Sequence, residues 1–207
     1  MIKPKSNKII YAFFAWYIKR IIGKDFSGFH FQAIDYPKEK AILLLANHFS
    51  WWDGFILFQL NRLYFKKKFH VMVLEETSKK VRFLKYLGAF SIQKNAKSLL
   101  ESLDYAGSLL NQPDNLLLIF PQGQLQSQHS KSISFQKGLF KIINASQKNF
   151  SYIFAVTLVD YFQHRKPKIH IFLQHWQAPP FASLQMIKTA YNKHYEEVLQ
   201  QQSEIKV

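Results

Sequence analysis

The sequence predicts an α/β fold, a mixed, largely parallel central sheet flanked by helices, with an N-terminal membrane-interfacial helix. Three observations predict it. Short apolar runs alternate with helix-like stretches, which is the pattern of strand–helix–strand units. Leu43-Leu44-Leu45 and Leu116-Leu117-Leu118-Ile119-Phe120 are continuously apolar, as strands covered on both faces are. The chain has 207 residues, 48% of them hydrophobic, enough for one substantial core, and no shift in composition marks a second.

Residues 1–24 stand apart from a single α/β domain at 25–207. Ile9 to Ile18 are all apolar and include Phe13, Phe14, Trp16 and Tyr17, with Lys3, Lys5 and Lys8 before them and Lys19, Arg20 and Lys24 after. As a helix this run is roughly 15 Å long, about half of a ~30 Å hydrocarbon core, so it cannot span a bilayer. Aromatic rings between cations suit the interface, and the segment is expected to be an amphipathic membrane-anchoring helix on the cytoplasmic face. An ordinary buried helix is the alternative reading.

Beyond it, strands are expected at 41–46, 69–74, 89–93, 116–120, 152–158 and 168–174. Helices are expected at 54–64, 78–86, 96–110 and 135–145, with Ser183 capping a last one over 184–200. The two continuously apolar strands belong at the centre of the sheet.

Lys and Arg number 28 against 13 Asp and Glu, a net charge of +15, so an anionic partner is expected: nucleic acid, an acidic bilayer, or a phosphorylated or acidic donor. The stretch from Arg62 to Lys85 is densely basic, opposed only by Glu75 and Glu76. No recognisable nucleic-acid motif accompanies the charge, which leaves a membrane surface with anionic lipids as the expected partner. With no cysteine, thiolate metal sites and a cysteine nucleophile are excluded, and no close His-x-x-x-His pairing suggests a metal.

The chemistry concentrates where the first central strand runs out into Ala46-Asn47-His48-Phe49-Ser50-Trp51-Trp52-Asp53-Gly54. Strand ends of open sheets are where sites form. On one helix His48 and Asp53 would point about 140° apart, whereas a strand-to-helix turn can bring them together. Ser50 then serves as N-cap with Asp53 at N3, and the Asp can hold one imidazole nitrogen while the other takes a proton. Spacing alone favours the plainer reading, a capping box beside an unrelated surface histidine.

Asn47-His48-Phe49-Ser50-Trp51-Trp52-Asp53 resembles the Asn-His-x-x-x-x-Asp motif of the glycerolipid acyltransferases, the superfamily that includes the lysophosphatidic acid acyltransferases. Further blocks follow in that family's order. Gly88-Ala89-Phe90-Ser91-Ile92-Gln93-Lys94 is similar to Gly-x-Ile-Phe-Ile-Asp-Arg. Phe120-Pro121-Gln122-Gly123 resembles the start of Phe-Pro-Glu-Gly-Thr-Arg, Phe135-Gln136-Lys137-Gly138 the Phe-Lys-x-Gly that trails it, and Val156-Thr157-Leu158-Val159 takes the place of the fourth block.

The resemblance implies that His48 is a general base oriented by Asp53, with Asn47 and Ser50 supporting. The acyl group would pass directly from acyl-CoA or acyl carrier protein to a lyso-lipid or related lipid, with no metal or cofactor. It assigns Lys94, Gln122 and Gly123 to acceptor binding. Departures from the pattern bear on the acceptor: the family's Arg, Glu and Arg for glycerol phosphate are here Lys94, Gln122 and Leu125. Lys94 binds phosphate as a point charge rather than a fork, and Leu125 offers no polar group. A lyso-lipid with a zwitterionic, sugar or amine-bearing headgroup is therefore expected ahead of lysophosphatidic acid. The alternatives are a lysophosphatidic acid acyltransferase proper, or a non-catalytic basic lipid- or nucleic-acid-binding protein.

Overall fold

A computed structural model describes residues 1–92 and 96–205, with the side chains of residues 96 and 97 left aside. Its elements in chain order are α1 (Lys8–Asp25), β1 (Gly28–Phe31), β2 (Ala41–Ala46), α2 (Asp53–Leu60), β3 (Lys68–Leu74), α3 (Glu75–Lys80), β4 (Ala89–Ile92), α4 (Ala96–Leu109), β5 (Asn115–Ile119), α5 (Gly138–Asn144), β6 (Phe150–Asp160), β7 (Lys168–Trp176) and α6 (Leu184–Ser203). The seven strands lie in the order β1-β7-β6-β2-β5-β3-β4, parallel except between β6 and β7. This is the mixed, largely parallel sheet that the apolar runs predict.

The two faces of the sheet are filled by alternate residues of the same strands. Ile42, Leu44 and Ala46 of β2 face one core with Ala15, Ile18 and Ile22 of α1 and Ile56, Leu57, Phe58 and Leu60 of α2. Ala41, Leu43 and Leu45 face the other, with Leu103, Ala106 and Leu109 of α4, Ile142 and Ile143 of α5, and Ile187, Tyr191, Tyr195 and Val198 of α6. Every residue of β2 and β5 is buried, the physical basis of their unbroken apolar runs.

Three local features differ from expectation. β1 was not foreseen, because a four-residue, half-buried edge strand carries no continuous apolar run. The helix expected at 54–64 is α2 followed by a π-helical turn, Asn61–Phe65, and the one expected at 78–86 is α3 followed by a 3-10 helix, Arg82–Leu87. Ser183 does cap the last helix, its side chain accepting from the Met186 N–H.

α1 joins the domain through a buried stripe and leaves the rest of its surface open. Ala15, Ile18 and Ile22 are buried, while Ile9, Phe13, Trp16 and Tyr17 are exposed. Phe14 stacks on Phe83 with ring centroids 4.0 Å apart, and Arg62 donates to the Ala15 carbonyl. Among the described residues no helix is long and apolar enough to cross a membrane.

Candidate active site

Strand order creates the site. β2 lies between β5 and β6, so the chain leaving β2 at Asn47-His48 emerges beside the ends of both. Asn47 continues the strand by side chain. Buried at 2% exposure, its Nδ2 donates to the Thr157 carbonyl at 2.9 Å and its Oδ1 accepts the Thr157 N–H at 2.8 Å. Both backbone polar groups of a β6 residue are thus satisfied where the ladder would otherwise stop.

His48 comes next, at 24% side-chain exposure, its ring stacked on Phe120 with centroids 4.1 Å apart. Nδ1 lies 2.8 Å from Oδ2 of Asp53, whose side chain is 1% exposed. The same Oδ2 accepts the N–H groups of Phe49 at 2.7 Å and Ser50 at 2.9 Å. Three donors on one carboxylate oxygen favour its ionised form, while burial opposes it; burial is the larger effect and lifts the Asp53 carboxyl above its ordinary value. The other oxygen, Oδ1, is buried without a partner among the described residues.

Ser50 is not the helix N-cap, a position that falls to Trp52. Its Oγ accepts from the Trp52 N–H at 3.2 Å and its own N–H donates to Asp53 Oδ2 at 2.9 Å, so only the carboxylate half of the expected capping box forms. The helix itself opens on Asp53, after a turn at Trp51-Trp52.

Gln122 lies against the backbone of His48. It is 1% exposed; Oε1 accepts the His48 N–H at 2.6 Å and Nε2 donates to Gln126 Oε1 at 2.9 Å. The Gln126 N–H in turn donates to the His48 carbonyl at 2.9 Å. Expected to meet an acceptor, Gln122 thus has its carboxamide taken up inside the protein. Gly123 beside it is exposed with φ 69, a left-handed conformation that favours glycine. Leu125 is 55% exposed. Lys94 lies outside the described residues.

Helix α6 braces this end of the sheet from below. Tyr191 OH donates to the Ala155 carbonyl, Asn192 grips both backbone groups of Ile133, and Tyr195 OH donates to the Gln128 carbonyl. Gln128 itself exchanges two bonds with the Val159 backbone. None of these braces was foreseen. The only trace in the sequence is Tyr191 and Tyr195, four apart on a helix that needs a buried face. Among the described residues no group of three or more His, Asp or Glu could hold a metal ion. Two surface clefts, of about 520 and 560 Å³, are lined by other residues, near Lys67 and near Trp176.

The His48–Asp53 pair thus stands at the mouth of a central strand, inside the segment that carries the family match. The model of the Acyltransferase family matches residues 29–159, which include His48, Asp53, Gln122 and Thr157. The chain belongs to the Acyltransferase family. Among solved structures, this acyltransferase is similar in fold to the 1-acyl-sn-glycerophosphate (LPA) acyltransferase PlsC of Thermotoga maritima. The TM-score is 0.57 at 16% identity, over 95% of this chain and 80% of that one. No curated protein matches the acyltransferase in sequence.

Proposed function

We propose that this acyltransferase moves a fatty acyl group from a thioester donor, acyl-CoA or acyl carrier protein, to a hydroxyl or amine of a membrane lipid, with His48 as general base and Asp53 as its orienting acid. The observation that carries the reading is the 2.8 Å contact between His48 Nδ1 and Asp53 Oδ2. With Nδ1 held by a carboxylate, Nε2 is the nitrogen that accepts the proton of the acceptor group as that group attacks the thioester carbonyl. A new ester or amide bond forms, the thioester C–S bond breaks, and the proton passes from imidazolium to the departing thiolate. The step requires no acyl-enzyme, metal or cofactor. Asp53, near-fully buried, stabilises the imidazolium more than an exposed carboxylate would.

The acceptor we infer is a lyso-lipid whose headgroup is not a phosphate monoester. Gln122 is committed to the protein and Leu125 is exposed and apolar, so neither supplies the charge-assisted contact a dianion favours. Attachment to the membrane is assigned to the exposed face of α1, where Phe13, Trp16 and Tyr17 lie near Lys19 and Arg20, on the cytoplasmic side and at an anionic surface. Trp51, 63% exposed and three residues from His48, continues that apolar surface toward the site through its edge contact with Phe55. The test offers purified protein a labelled acyl thioester with a panel of lyso-lipid acceptors, the His48→Ala variant in parallel. Transfer by the parent and none by the variant is the expected result; equal transfer by both refutes the mechanism.

A further inference from the structure

His48 must present its ring at one angle to be useful, and the ring, stacked on Phe120, is hydrogen-bonded at Nδ1. What fixes the backbone beneath it is a carboxamide from another strand end. The N–H of His48 can only donate, so the atom of Gln122 lying 2.6 Å from it must be the oxygen. That single constraint orients everything beyond. Nε2 of Gln122 then faces Oε1 of Gln126 at 2.9 Å, and Nε2 of Gln126 faces Oγ of Ser134 at 3.1 Å. The His48 carbonyl, 3.5 Å from Gln122 Nε2, takes its main bond from the Gln126 N–H. The backbone of Gln122 is tied down as well, since Gln136 donates to its carbonyl.

We propose that Gln122 is a positioning residue for His48: as an uncharged group that accepts on one side and donates on the other, its carboxamide sets the backbone from which the base is presented. The proposal rests on reading His48 as the base. It replaces acceptor binding as the role of this side chain. A carboxylate here would put a second negative charge into a site 1% exposed, facing the His48 carbonyl, with no cation among the bonds described. A methionine would fill the space and make no hydrogen bond, leaving the His48 N–H without its acceptor.

The test compares the parent with Gln122→Met and Gln122→Glu, following kcat and KM for the acceptor across pH, together with hydrogen exchange of the segment 47–53. Gln122→Met is expected to lower kcat about 10- to 100-fold, the scale of a misplaced catalytic group, with acceptor KM changed less than about twofold. Exchange in 47–53 should quicken while the global unfolding transition remains cooperative. In Gln122→Glu the activity relative to parent should rise as pH falls, because burial raises the new carboxyl and its protonated form regains a donor. Should Gln122→Met fail to fold, that pH-dependent ratio still decides the matter. A raised KM with unchanged kcat would show an acceptor contact and overturn the proposal, as would parent-like kcat in Gln122→Met or a flat ratio in Gln122→Glu. The exchange measurement needs no turnover, so the clamp stands or falls separately from the acyl-transfer reading, which the His48→Ala comparison tests.

Discussion

Asn47 and Thr157, 110 residues apart in the chain, hold each other by two hydrogen bonds of 2.9 and 2.8 Å, side-chain amide to backbone peptide. Both partners are fully buried, so the bonds act where water cannot replace them. Asn47→Ala strands the N–H and C=O of Thr157, at about 1–3 kcal/mol for each unsatisfied group. The variant is expected to unfold at lower urea with an unchanged slope and to lose activity through displacement of His48. An unfolding midpoint equal to the parent's would show that the two strands are held by other means.

His48→Ala should abolish acyl transfer and leave the fold in place. The ring contributes a stack on Phe120 but the loop backbone is fixed by Gln122, Gln126 and Asp53. Loss of a general base costs about 10²–10⁴ in rate. Turnover measured beside a thermal melt separates the two effects: the midpoint should stay close to that of the parent.

Asp53→Asn should lower turnover without lowering stability at neutral pH. An exposed carboxylate at a helix start would stabilise it by ~0.3–1 kcal/mol, but this one is 1% exposed and burial outweighs its hydrogen bonds. Its carboxyl therefore titrates higher in the folded chain than in the unfolded one. Folding favours the protonated form, and the contribution of this group to stability falls as pH rises through the interval between the two values. Replacing it with Asn removes that dependence. Melting curves of parent and variant between mildly acidic and neutral pH should converge or cross in the variant's favour as pH rises; a variant that loses ground steadily toward neutral pH would reverse the sign argued here.

Gly88→Ala should be among the most damaging substitutions in the protein. Gly88 has φ 93, and a Cβ there would overlap the backbone carbonyl oxygen of Phe69. Backbone strain alone costs about 1–3 kcal/mol, and the clash with the backbone of β3 adds to it. Soluble yield and thermal midpoint report the loss; a parent-like midpoint would mean that the β3–β4 pair can separate freely.

Charge substitution on the open face of α1 tests membrane attachment better than deletion, because Ala15, Ile18 and Ile22 belong to the core and removing residues 1–24 would expose it. Phe13→Glu with Trp16→Glu changes only exposed positions. Co-sedimentation with vesicles containing anionic lipid should fall sharply for this variant, and salt should weaken what binding is left. Unchanged sedimentation at high salt would place the anchor elsewhere.

The sequence by itself determined the elements whose signal is local. Unbroken leucine runs became the buried central strands β2 and β5, Ser183 became a helix cap, and the five-residue step from His48 to Asp53 proved to be a strand-to-helix turn that brings the two side chains within 2.8 Å. Such signals are carried by periodicity, side-chain volume and capping chemistry, all of which act within a few residues. Tertiary structure alone decided what crosses between strands. That Gln122 faces His48 from 74 residues away, that Asn47 faces Thr157, and that Asp53 is buried rather than exposed all follow from β2 lying between β5 and β6. β1 is not legible in the sequence for the same reason: a short, half-buried edge strand is defined by its pairing with β7 rather than by its own residues. Strand order is set by the packing of whole helices on two faces of a sheet, and no short stretch of sequence encodes it.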